Sequence, residues 1–217
     1  SLECELLRLP GLPNAVRSIS GAFAGPHDVF GSWDRAYLAH WSLDTSDPLR
    51  PQATKVSSRP LRPELFPELI HSDPTRRAVV LHTVTGLEWI GPPGVVGLPA
   101  PISLPSGRPF DLDFDPLSDR VAVSQGEAVL VVSCAGGAPL TLSPAGIGEP
   151  RRVRFSADGT QVAVAYEELR TSRSGPGSNY WLDVYRVETR ARIERWMLMS
   201  QPNAVSRLPG GRFVSGN

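Results

Sequence analysis

Short apolar runs recur along this chain between clusters of turn-forming residues. The clearest unit spans Arg151 to Leu198. Arg152-Val153-Arg154-Phe155 alternates polar and apolar positions, as a half-buried strand does. Ser156-Ala157-Asp158-Gly159 supplies turn chemistry, with Gly159 suited to the positive φ of a tight hairpin. Val162-Ala163-Val164-Ala165-Tyr166 is apolar enough to be buried on both faces. Trp181 to Val187 predicts a third strand and Arg192 to Leu198 a fourth. Four consecutive antiparallel strands with tight connections form one blade of a β-propeller.

The same pattern reads backwards through the chain. Phe110–Phe114, Arg120–Val123, Val129–Val132 and Pro139–Leu142 predict a compact blade. Before it come Leu65–His71, Ala78–His82, Gly86–Ile90 and Val95–Leu98, and before those Ala15–Ile19, Val29–Trp33, Tyr37–Leu43 and a weak edge at Gln52–Val56. Leu12-Pro13-Asn14-Ala15-Val16 nearly returns as Gln201-Pro202-Asn203-Ala204-Val205, opening a further unit with strands at Ala204–Leu208 and Arg212–Gly216. The expected architecture is all-β. It comprises blades over about 13–57, 64–99, 109–143 and 150–198, a partial blade over 203–217, and a strand near 5–9 that closes the ring or belongs to a preceding blade. A unit that stops half-built predicts a portion of a larger propeller. Trp41, Trp89, Val132 and Tyr185 align late in the third strand, where a large apolar side chain is expected to pack between adjacent blades.

Composition narrows the function classes. The formal net charge of the 217 residues is zero, which gives no global pull toward nucleic acid or an anionic membrane. Twenty Gly and 22 Pro sit between apolar runs and fit many strands joined by turns. Cys4 and Cys134 are far apart without metal-ligand spacing, so a reducing, cytoplasmic setting is expected. Arg outnumbers Lys 21 to 1, a bias expected of a GC-rich bacterial genome. No stretch approaches the roughly 20 apolar residues of a membrane-spanning helix.

Several segments resemble WD40-type repeats. Gly31-Ser32-Trp33-Asp34-Arg35 followed by His40-Trp41-Ser42-Leu43-Asp44-Thr45 is similar to that family's second strand, turn and third strand. Phe155–Gly159 resembles its first hairpin and Val184–Thr189 its third-strand ending. The Trp-Asp pair that ends the family's third strand is replaced by Trp41-Ser42, Trp89-Ile90, Val132-Ser133 and Tyr185-Arg186, and the Gly-His pair is missing. The resemblance implies a rigid propeller that presents loops to a partner within a larger multidomain protein.

Candidate chemistry is sparse. Glu167 to Tyr180 lengthens the connection between the second and third strands of the fourth blade, reading either as a binding loop or as a tolerated insertion. The Arg residues of the same blade are interleaved with carboxylates, which suggests ion pairs on a solvated face. His71 and His82 lie on neighbouring strands without a metal motif. Asp111, Asp113 and Asp115 alternate as the ligands of a calcium loop do, but the Gly and distal Glu of that motif are missing, and the strand reading places them on a solvent-facing side. No Gly-x-Ser-x-Gly elbow or phosphate-cradling motif occurs. The expected function is a non-catalytic interaction, sensor or scaffold module binding a protein or peptide, without cofactor, nucleic acid or membrane. Its expected contacts are Trp33, Arg35, Arg170, Arg173, Asn179 and Tyr180. A propeller hydrolase or lyase with a central polar or metal site, and a purely structural module, are the alternatives.

Overall fold

A computed structural model describes residues 10, 19–33, 37–47, 52–61, 69–73, 75–142, 148–172, 175–201, 204–207 and 213–216. Among these the secondary structure is strand throughout. The chain divides into two compact units, Ser1–Ser103 and Leu104–Asn217.

The first unit holds two four-stranded antiparallel sheets in sequential order. One comprises β1 (Ile19–Phe23), β2 (Asp28–Trp33), β3 (Tyr37–Asp44) and β4 (Gln52–Pro60); the other comprises β5 (Leu69–Asp73), β6 (Ala78–Thr83), β7 (Gly86–Ile90) and β8 (Ile102–Ser103). The second unit holds β9 (Pro109–Phe114), β10 (Arg120–Gln125), β11 (Ala128–Ser133) and β12 (Leu140–Thr141). Next to these come β13 (Glu149–Phe155), β14 (Gln161–Ser172), β15 (Gly175–Arg186) and β16 (Arg192–Leu198), then the pair β17 (Ala204–Arg207) and β18 (Phe213–Gly216). Each four-stranded sheet is an up-and-down meander, the construction of a propeller blade.

Within each unit the sheets stack face to face through their apolar residues. In the first unit Phe30 and Leu38 pack on Ile70, Val79 and Leu81. In the second, β14 uses both faces. Val162, Val164 and Tyr166 join Ala122, Val129 and Val131 of the preceding sheet, while Ala163 and Ala165 join Val205 of the following pair. A period-two strand between two neighbouring sheets has no solvent face, which is why its sequence is continuously apolar.

The four aligned anchors occupy equivalent positions. Trp41, Trp89, Val132 and Tyr185 are all buried. Each pairs with a valine of the second strand: Val29, Val80, Val121 and Val162 respectively. Tyr185 packs with residues of the neighbouring sheet, as the repeat predicts. Trp41 differs, clustering with Val29, Ala39 and Leu43 of its own sheet and donating its indole N–H to the Pro10 carbonyl at 3.0 Å.

Several strand boundaries depart from the sequence pattern. The first strand is Ile19–Phe23 and not Ala15–Ile19, of which residues 15–18 lie outside the described residues. Gly21 sits inside that strand opposite Gly31, and the turn falls later, at Gly25 with φ 146°. The fourth strand of the second sheet is Ile102–Ser103, whereas Val95–Leu98 is not strand. Gly94 and Gly97 adopt positive φ there, breaking the extended backbone, and Ile102 and Ser103 instead pair with Leu87 and Gly86. A Cβ at Gly86 would overlap the Ile102 carbonyl, so glycine is what lets the two strands close. The weak edge at Gln52–Val56 runs on to Pro60, and the strand expected at Leu65–His71 is Leu69–Asp73, residues 65–68 lying outside the described residues. The expected strand at residues 5–9 also lies outside them.

Asp111 and Asp113 on β9, with Asp115 just past its end, are the largest correction. They do not face solvent: Asp111 and Asp115 are buried and Asp113 is half-buried. Pairing with β14 leaves β13 a second edge, whose N–H groups need acceptors. Asp111 Oδ2 accepts from the Val153 N–H at 3.2 Å and Asp113 Oδ2 from the Phe155 N–H at 2.8 Å. Alternation at i, i+2 on β9 thus matches alternation at i, i+2 on β13, and carboxylates replace a ladder between the sheets.

Candidate functional site

The connection from Glu167 to Tyr180 is not a loop. β14 and β15 each run twelve residues and stay paired from Gln161↔Arg186 out to Ser172↔Gly175. The equivalent connection in the preceding sheet turns at Gly126, between Gln125 and Ala128. The insertion is therefore a hairpin arm that continues the ladder of its own sheet, its two strands pairing their inward-facing backbone groups with each other.

Its base is fixed by charge. Arg151 donates to Glu167 Oε2 from Nε at 2.9 Å and from Nη2 at 2.6 Å, and Ser178 Oγ donates to Glu167 Oε1 at 3.0 Å. Trp181 Nε1 donates to Glu168 Oε2 at 2.9 Å, while the Arg195 guanidinium lies 4.9 Å from the Trp181 ring. Arg195 also grips fully buried Asp183 through Nε at 2.7 Å and Nη2 at 2.9 Å, and Arg192 approaches the same carboxylate at 3.5 Å. The Tyr185 hydroxyl donates to Asp183 Oδ2 at 3.1 Å, and the Tyr166 hydroxyl stands 3.4 Å from that of Tyr185. Burial, with the Asp183 charge adding to it, pushes the Tyr185 phenol up to about 12. Burial and Tyr185 push Tyr166 higher still. Hydrogen bonding to Asp183 raises Arg195 above its ordinary range. Both tyrosines are therefore neutral donors at ordinary pH, and neither is an available base.

The six expected contacts fall as follows. Asn179 and Tyr180 lie on β15, opposite Glu168 and Glu167, and Asn179 Nδ2 approaches Glu168 Oε2 at 3.5 Å. Arg170 pairs with Gly177 in the arm's backbone. Trp33 ends β2 in the first unit, paired with Ile19 and Tyr37. Arg35 and Arg173 lie outside the described residues.

Sequence reasoning missed the apolar surface beside the arm. Leu169 is 77% exposed, Met197 64%, Met199 99% and Trp196 45%. β16 is the outer strand of its sheet and is exposed over most of its length. The signal was present in Trp196-Met197-Leu198-Met199, but an apolar run next to a strand reads as core unless the edge position is known.

Elsewhere the His71 and His82 rings approach to 5.9 Å, as their neighbouring strands suggested. Among the described residues no group of three or more His, Cys, Asp or Glu could hold a metal ion. Among them, too, no helix is long and apolar enough to cross a membrane.

No family model matches this sequence, and no curated protein matches it. Structural similarity is extensive, with 382 solved chains matching. One of them is hydrazine synthase from Kuenenia stuttgartiensis, a propeller-containing protein, at TM-score 0.63 and 13% identity over 94% of this chain. The chain spans 57% of the length of that neighbour. Together with the four-stranded meanders, this likeness establishes the fold as all-β, built from propeller blades.

Proposed function

We propose that this chain is a non-catalytic recognition module, a WD40-like scaffold or sensor portion of a larger bacterial protein in the cytoplasm. It docks a protein or peptide along the β14–β15 arm and the outer strand β16. The observation that carries the reading is a hairpin arm and an edge strand that expose large apolar side chains, Leu169 and Trp196 on one face of the sheet and Met197 on the other. An edge strand also offers backbone groups to an extended peptide. The charged residues at the arm's base, with Asn179 and Tyr180 above them, supply polar contacts around these side chains. A free, buried Cys134 accords with a reducing setting.

The test is affinity capture with the full-length protein, with and without residues 168–179, read by quantitative mass spectrometry. A protein retained by the intact chain and lost with the arm is the expected result. A partner set unchanged by excision, or no partner at all, removes the arm from the function.

A further inference from the structure

Each four-stranded sheet ends in an outer strand, and such an edge is a template for further pairing unless it is blunted. Three of these edges are blunted. β8 and β12 are two residues each, and β4 carries Lys55 and Arg59 and ends in Pro60. β16 differs from all three. It runs seven residues, Arg192–Leu198, without Lys or Pro, and among the described residues no strand pairs with its outer side. Its two arginines are drawn onto Asp183 of their own sheet, Arg192 at 3.5 Å and Arg195 at 2.7 Å. Trp196 and Met197 are left exposed along the edge. From Glu194 to Leu198 the strand pairs with β15 without a register shift, so its outer side is a regular ladder waiting for a second strand.

We infer that β16 pairs antiparallel with β16 of a second copy of this chain, with the two-fold axis at Trp196. This pairing rests on β16 being a docking edge, as in the function proposed above, and names the occupant of that edge. Symmetry limits the register. A two-fold axis relating antiparallel strands keeps each face of the sheet on its own side, so opposed residues share a face and one residue meets its own copy. An axis at Arg195 sets guanidinium against guanidinium, and an axis at Glu194 sets carboxylate against carboxylate; both are unfavourable. An axis nearer either end leaves three or fewer residues of the strand paired. The axis at Trp196 avoids both faults. It sets indole against indole, Arg195 opposite Met197 of the second copy and Glu194 opposite Leu198, all within β16.

One short strand pair buries less than a standard interface, so a dissociation constant of about 10–100 µM is expected, and sedimentation equilibrium on the whole chain across that range measures it. Met197 is 64% exposed, so its replacement leaves the fold intact. Met197→Lys sets a second cation opposite Arg195 of the other copy, twice in each dimer, and is expected to weaken association about fivefold or more. Met197→Glu sets a carboxylate there instead and is expected to hold the association or tighten it. A chain that stays monomeric throughout, a dimer indifferent to Met197→Lys, or one weakened equally by both replacements overturns the pairing. A monomer that still captures a protein through the arm overturns the pairing alone and leaves the recognition reading standing. A dimer that shows the charge dependence but captures no other protein supports the pairing and removes that reading.

Discussion

The sheets β9–β12 and β13–β16 begin from one strand pattern and use their polar residues in opposite ways. In the former, strands two and three are six residues each, and the carboxylates of Asp111 and Asp113 reach beyond their own sheet. Asp111 and Asp113 cap the free edge of β13, and Asp115 holds Arg120, whose Nη2 in turn reaches the Gly159 carbonyl at 3.0 Å. Gly159, at φ 67°, is needed twice there: for the hairpin, and because a Cβ would strike the Asp115 carboxylate. In β13–β16 the buried carboxylate of Asp183 is satisfied within the sheet by Arg195, Arg192 and Tyr185. A sheet whose polar residues tie it to a neighbour is scaffold. One whose polar residues close on themselves is free to grow outward, and β14 and β15 do so.

The largest expected effect tests that closure. Asp183→Ala leaves two guanidinium groups facing an emptied buried position, the situation in which a broken buried pair costs about 3–5 kcal/mol. Urea denaturation should show a loss in that range, and a loss below about 1 kcal/mol would mean that the arginines simply turn to solvent. A smaller effect is expected in alkali. The unfolded chain releases phenolic protons near pH 10, whereas Tyr185 holds its proton to about 12 and Tyr166 beyond it. The folded state therefore binds more protons above pH 10. Stability is fully present below that value and falls as pH rises toward 12. Tyr185→Phe should flatten that fall in a series of melts between pH 9 and 12. An unchanged slope would place the alkaline sensitivity outside this sheet.

How much of this was legible beforehand follows from the range of the interactions. The meander was legible because strand periodicity and turn residues are local, and the four buried anchors because they recur at the repeat length. The aspartates of β9 were misread because their partners, the amides of Val153 and Phe155, are some 40 residues away. The arm was misread because Ser-Gly-Pro-Gly-Ser at 174–178 carries loop composition; only continued pairing of 175–178 with 169–172 makes them strand.

The smallest expected effect is the sharpest test of the contrast. If β14 and β15 extend the sheet without supporting it, residues 168–179 can be replaced by Asn-Gly, the two-residue turn that favours a hairpin. The replacement keeps Glu167 and Tyr180 paired at the new end and preserves the Arg151–Glu167 ion pair. It removes the hydrogen bonds from Trp181 to Glu168 and from Ser178 to Glu167, together worth about 2 kcal/mol, and exposes no core residue, because the apolar cluster on this sheet ends at Tyr166 and Trp181. The melting temperature should fall by no more than about 4–8 °C, the shift expected of about 2 kcal/mol at about 2–4 °C per kcal/mol in a chain of this size. A larger fall would make the arm part of the scaffold, and loss of a partner on its excision would then report unfolding and not recognition. A fall within that range leaves the arm as structure added for the surface that it presents.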